Sequence, residues 1–216
     1  MRRDKNFWTA ILIGGLVGGG MLGPTAWAGP PTEAVRKSVD EVIRILEDPA
    51  WKKPEKKEER RKLLEQTIAQ RFNFQEMARR TLGAEWAKRT PEEQKEFAAS
   101  FQTLLANTYL GRIENYTGEK VQYLKEMTDG EYAEVQTKID NGKTAIDITY
   151  KLESVSGDWR VYDVIAEGTS LVQNYREQFK RILSKQSFAE LSSQLRKKSE
   201  SIKSPGSGSA DSARSR

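Results

Sequence analysis

The sequence predicts an α+β fold, a four-stranded antiparallel meander packed with several helices. Three observations predict it. Apolar residues recur at the 3.6-residue helical period from Pro30 to Tyr116, alternate with period two from Lys120 to Ala166, and return to the helical period from Ser170 to Ile202. Two turn signals, Asn141-Gly142 and Ser156-Gly157-Asp158, divide the alternating stretch into hairpins. Helix-start signatures stand before most of the helical runs, with Thr90-Pro91-Glu92-Glu93 the clearest of them.

Taken in order, the chain begins with Arg2, Arg3 and Lys5, then an uncharged, glycine-rich apolar run of 16 residues from Phe7 to Leu22. Pro24 breaks the run, and Ala26-Trp27-Ala28 places small residues where a signal peptidase reads them. That layout predicts a secretory signal peptide over residues 1–28, cleaved after Ala28. The run is shorter than the roughly 20 residues a membrane-spanning helix needs. Residues 29–203 are expected to form one domain, and the Ser/Gly-rich residues 204–216 a disordered tail with nothing to bury.

Within the domain, Pro30-Pro31-Thr32 opens a first helix, with Thr32 as its cap and Val35, Val39, Val42, Ile43 and Leu46 on one stripe. Asp48-Pro49 stops it. Residues 52–62, KKPEKKEERRK, carry seven basic and three acidic side chains. They read as a solvated helix face or loop, with a headgroup-contacting patch as the alternative. A helix continues through Leu63, Leu64, Ile68 and Phe72. Asn73 with Glu76 starts another at Phe74, ended by Leu82-Gly83.

The helix from Pro91 carries Phe97, Phe101, Leu104, Leu105 and Tyr109 on one stripe and runs to about Tyr116. Val121 and Tyr123 begin the meander. Ala133, Val135 and Ile139 form the inward set of the second strand, and Ile146, Ile148, Tyr150 and Leu152 that of the third. In the fourth strand, Trp159 to Ala166, strict alternation sends Trp159, Val161 and Ile165 one way and Tyr162, Val164 and Ala166 the other. Both faces of that strand then need an apolar covering. Ser170 with Gln173 and Ser187 with Glu190 open the last two helices.

Composition narrows the chemistry. With no His and no Cys, there is no imidazole base, thiolate nucleophile, Ser-His-Asp triad or Cys/His metal site. The net charge of +5 falls further once the basic start is removed, so no nucleic-acid partner is indicated. Asp163 and Glu167, with Asp147 on the neighbouring strand, are the one candidate acid–base group, and pairing with an Arg or capping a turn is the structural alternative. A binding protein fits better than an enzyme. The aromatic residues concentrate on the inward stripes, a pattern that serves a filled core and a lined cavity equally.

The stretch WRVYDVIAEGTSLVQNYREQFKRIL, Trp159 to Leu183, resembles the signature of the MlaC family. Gly157, the Tyr162-Asp163-Val164 triplet, Glu167-Gly168, Ser170-Leu171-Val172, Asn174-Tyr175-Arg176 and Gln178-Phe179 carry the resemblance. Upstream, Phe72, Phe74, Met77, Leu82-Gly83, Trp86, Thr90, Gln94, Phe97, Phe101, Leu104-Leu105 and Tyr109 are similar in order and spacing, so that it covers about residues 32–200.

These proteins are the periplasmic phospholipid-binding components of the Mla lipid-asymmetry transport system, also known as toluene-tolerance proteins. The resemblance implies a hydrophobic lipid pocket between sheet and helices, with phospholipid as cargo and no cofactor, metal or catalytic residue. It implies handover to an inner-membrane Mla ABC transporter complex and an outer-membrane Mla lipoprotein complex; a monomer is expected.

The residues expected to line the pocket are Phe97, Phe101, Leu105, Tyr109, Val135, Ile146, Ile148 and Tyr150, with Trp159, Val161, Tyr162, Val164, Leu171, Tyr175 and Phe179. Arg112, Tyr116 and Arg176 are headgroup candidates by position, since phosphate favours Arg, Lys or a Tyr hydroxyl. Other readings are a hopanoid-binding carrier of the same family, a periplasmic holdase-type interaction module, and a carboxylate-dependent hydrolase.

Overall fold

The computed structural model describes residues 29–140, 142 and 144–203, with side chains as far as Ser199. The signal peptide expected over 1–28, Asn141 of the hairpin signal and the tail expected over 204–216 lie outside the described residues. Six α-helices are described: α1 (Pro30–Glu47), α2 (Lys57–Arg71), α3 (Phe74–Leu82), α4 (Pro91–Glu114), α5 (Leu171–Leu183) and α6 (Phe188–Lys203). Five strands stand between α4 and α5: β1 (Lys120–Asp129), β2 (Tyr132–Asp140), β3 (Ala145–Val155), β4 (Asp158–Ala166) and β5 (Thr169–Ser170). They form one antiparallel sheet in sequence order.

Most helix starts follow their local chemistry. The Asn73 side chain accepts from the Glu76 amide at 3.1 Å, and Thr90 and Glu93 close a reciprocal capping box. Ser187 and Glu190 do the same before α6. The first helix departs from the expected start. Gly29 is its N-cap, Pro30 and Pro31 occupy its first positions, and Thr32 lies inside the first turn, buried. The free amide of Thr32 and its hydroxyl both donate to Glu126 on β1, so a carboxylate 94 residues away does the capping.

The fifth strand corrects the expected count of four. It is two residues long, too short for any period to register, and it pairs Ser170 with Ile165 and Thr169 with Ala166. The turn that makes it is Glu167-Gly168, whose φ values of 49° and 77° both lie in the left-handed region required by a tight two-residue hairpin.

The face assignment of β4 is also corrected. Lys151 pairs with Asp163 but Leu152 pairs with Val161, leaving Tyr162 as the extra residue of a β-bulge. A bulge shifts the inside–outside alternation by one residue. Trp159, Val161 and Val164 therefore pack in one cluster with Val35, Val135 and Leu152. Tyr162 turns to the other side of the sheet, where the Arg80 guanidinium lies 4.0 Å from its ring centroid and Tyr132 meets it edge-on.

Three apolar clusters hold the fold. The largest is helical, with α3, α4, α5 and α6 around Met77, Phe97, Phe101, Tyr175, Phe179 and Leu191. A second joins the inner face of the sheet to Val35 of α1. The third joins Ile45 and Leu46 of α1 to Leu64 of α2 and Leu110 of α4. The charged stretch 52–62 forms a short 3₁₀ turn and the start of α2. Arg61 bonds Glu114 at 3.0 Å, while Lys52, Lys53, Lys57 and Lys62 are exposed.

Candidate functional site

Between the second and third clusters the packing does not close. The inner face of the sheet is covered there by α1, the end of α2 and the end of α4, and these layers line an open-mouthed cavity of about 400 Å³. The α1 stripe forms one long wall, from Val35 through Val39, Val42 and Ile43 to Leu46. At the helical rise of 1.5 Å per residue, that wall runs roughly 16 Å. Ile68, Phe72 and Ile113 come from the other helices, and Val121, Ile139, Ile146, Tyr150 and Val161 from the four long strands.

The polar groups of the cavity lie mainly toward its two ends. At one end the Arg71 guanidinium donates to the Ser38 hydroxyl at 3.1 Å, to Asp158 at 2.8 Å and to the Trp159 carbonyl. One arginine thus fastens α2 to α1 and to the β3–β4 turn. Two guanidinium partners, Arg71 and Arg160, outweigh the burial of Asp158 and hold its carboxyl below the usual range. At the other end stand Arg112, Tyr116, Glu119 and Thr144. Burial, helped by the charges of Glu47 and Glu119, raises the Tyr116 phenol.

Tyr150 lies between the ends, and desolvation pushes its phenol up to about 12. Tyr123, on the same face of the sheet, is raised further still, chiefly by burial, and its hydroxyl is buried without a partner.

The sequence-predicted residues divide among several places. Ile146, Tyr150 and Val161 line the cavity, together with Arg112 and Tyr116 of the headgroup candidates. Val135, Trp159 and Val164 belong to the adjoining sheet cluster, and Ile148, half-buried, pairs with Thr137 and Ala166. Phe97, Phe101, Leu105, Tyr109, Leu171, Tyr175 and Phe179 sit in the helical cluster, where Phe101 meets Tyr175 and Phe179 edge-on. Phe97 also borders a smaller hollow of about 190 Å³ between α4 and α6. Tyr162 lies across the sheet, and Arg176 lies against Gly83.

The α1 residues of the wall were visible in the sequence as a helical stripe. Nothing local marked them as facing a void.

Two of the three carboxylates offered as an acid–base group are otherwise engaged. Asp163 is buried and accepts from the Ser170 hydroxyl and the Val164 and Val172 amides. Asp147 faces Lys138 at 3.5 Å. Among the described residues, no group of three or more acidic side chains could hold a metal ion, and no helix is long and apolar enough to cross a membrane.

Comparison with known proteins places this geometry in context. The sequence profile of the MlaC protein family matches residues 36–197. The intermembrane phospholipid transport system binding protein MlaC of Haemophilus influenzae is 27% identical over 120 residues, 53% of this chain and 56% of that protein. The toluene tolerance protein ttg2D of Pseudomonas putida is 29% identical over 94 residues, 43% of this chain and 44% of that one. These alignments span about half the length of the curated relatives. A phospholipid-binding protein from Ralstonia solanacearum, solved in complex with a phospholipid, shares the fold with a TM-score of 0.69 at 24% identity, over 82% of this chain and 100% of that one.

Proposed function

The chain belongs to the MlaC family, and on that footing we propose that it is a periplasmic lipid carrier that shelters phospholipid acyl chains in the cavity beneath α1. In this reading it moves lipid between inner-membrane and outer-membrane Mla complexes. The observation that carries the proposal is the cavity itself, whose walls are built mainly from Val, Ile, Leu and Phe side chains of α1, α2, α4 and the sheet. Its volume falls in the range typical of small-molecule sites, about 300–1,000 Å³.

The physical need is large. Each acyl methylene left in water costs about 0.8 kcal/mol, so two chains of about 16 carbons cost on the order of 25 kcal/mol. A carrier has only to replace the bilayer for those chains, which takes an apolar hollow and no reactive group. A chain without His or Cys is suited to that task. The α1 stripe with Ile146, Tyr150 and Val161 is the proposed acyl-chain lining. The end holding Arg112 and Tyr116 is the proposed headgroup end, because a guanidinium and a phenol both donate to phosphate. Export with cleavage after Ala28 puts the carrier in the aqueous gap where such transport is needed.

Mass spectrometry of lipids extracted from natively purified protein tests the reading. Phospholipid is the expected finding. Hopanoid without phospholipid would replace the cargo, and protein that never carries lipid would end the proposal.

A further inference from the structure

Tyr150 is out of keeping with the wall it belongs to. It stands mid-strand on β3, opposite Val135 of β2 and Val164 of β4, and lines the cavity beside Ile146 and Val161. Protein surrounds it closely enough to desolvate the phenol, so the hydroxyl keeps its proton at any physiological pH. Among the described residues nothing pairs with that hydroxyl. The neighbouring Tyr123 hydroxyl is sealed in and unpaired, whereas the Tyr150 hydroxyl is not among the sealed groups. Arg71, the other strong donor on this stretch of wall, is held by Ser38, Asp158 and the Trp159 carbonyl.

A hydroxyl in an apolar wall loses its solvent partner once apolar cargo covers it, whereas phenylalanine would fill nearly the same volume with nothing left unpaired. Tyr150 is half-buried and lines the cavity.

We propose that the Tyr150 hydroxyl donates to an ester carbonyl of the bound lipid, so that the cavity selects acyl-ester lipids over ether-linked or purely hydrocarbon cargo of the same shape. The proposal rests on the carrier reading and deepens it. An esterified chain brings one strong acceptor into an otherwise apolar space, and that carbonyl enters a low-dielectric cavity readily only where a donor meets it. An alkyl ether offers a weaker acceptor, and a hydrocarbon offers none. One hydroxyl placed among aliphatic side chains thereby tells these cargoes apart.

The test is a ratio. Vesicles containing equal amounts of a diacyl phosphoglycerolipid and its dialkyl-ether counterpart, matched in headgroup and chain length, are incubated with the purified protein, and the protein-bound lipid is quantified by mass spectrometry. The wild type should be enriched in the diacyl form about three- to tenfold, the worth of one neutral hydrogen bond. Tyr150→Phe should bring the ratio close to one, with a melting temperature equal to or above that of the wild type. A ratio does not depend on what fraction of the variant folds. A wild-type ratio of one, or an unchanged ratio in Tyr150→Phe, overturns the proposal and leaves the carrier reading standing. Folded wild-type protein that takes up neither lipid overturns both.

Discussion

The Ser170 hydroxyl donates to the Asp163 carboxylate at 2.6 Å while accepting from the Gln173 amide at 3.0 Å. The other oxygen of Asp163 accepts from the Val164 and Val172 amides at 2.8 and 3.0 Å. One buried carboxylate therefore ties the end of β4 to the first turn of α5, with its charge at the favourable end of the helix dipole.

Asp163→Ala leaves two amides and a hydroxyl short of an acceptor, at a cost of about 2–4 kcal/mol. Asp163→Asn keeps an acceptor oxygen for the amides and should lose about half as much. Urea unfolding checks both, and an unchanged midpoint in Asp163→Ala would refute the structural role. The folded Asn variant should bind lipid normally, since Asp163 is not among the residues that line the cavity.

Glu126 does for α1 what Asp163 does for α5, but at a cavity wall. Replacing it with Ala strips the acceptor from the Thr32 amide and hydroxyl, a loss of about 1–3 kcal/mol. Because α1 forms one side of the cavity, its first-turn amides should exchange with solvent faster and bound lipid should dissociate faster. Hydrogen exchange and a lipid-release assay read the two effects. Faster exchange without faster release would mean that this end of α1 does not gate the cavity.

The helical cluster and the cavity separate cleanly by substitution. Phe101 is fully buried against Tyr175 and Phe179, so Phe101→Ala should destabilise by about 3–5 kcal/mol while the folded fraction retains its lipid. Val42→Trp, by contrast, puts a large side chain into the hollow, where added apolar contact replaces empty space. Stability should hold or rise, and lipid per protein should fall to a small fraction of the wild-type value. Equal lipid loss in both variants would contradict this division.

The same division explains how much the sequence discloses. Helix starts at Asn73, Thr90, Ser170 and Ser187 depend on residues three apart, and each is legible. The bulge at Tyr162 is a matter of pairing between strands, so strict alternation misplaces every later residue of β4, Val164 and Ile165 included. Thr32 reads as a cap because its real partner, Glu126, is far along the chain. Phe97, Phe101 and Phe179 read as possible lining because an aromatic stripe looks alike whether it meets side chains or a void. The cavity is an absence of packing between α1 and the sheet, and no local pattern encodes an absence.

Glu76 and Glu153 should give opposite answers to the same substitution. Burial disfavours the Glu76 carboxylate, but hydrogen bonds and charge from Arg79 and Arg80 outweigh it and hold its pKa below the usual value. A depressed folded-state pKa stabilises above the unfolded-state value, and that stability is lost as pH falls through the depressed one. Burial raises Glu153, and the charge of Glu76 adds to the rise, against the bond donated by Asn73.

A raised folded-state carboxyl has the reverse effect: once ionised it weakens the fold at neutral pH, and the weakness disappears as acid protonates it. Glu76→Gln should therefore lower the melting temperature at pH 7, and Glu153→Gln, which keeps an acceptor for Asn73, should raise it. Both differences should fade toward zero as pH drops below the ordinary glutamate range. Melting curves from pH 7 to pH 3 decide the matter. A shift of the same sign in the two variants would show that the arginines and burial do not divide these carboxylates in this way.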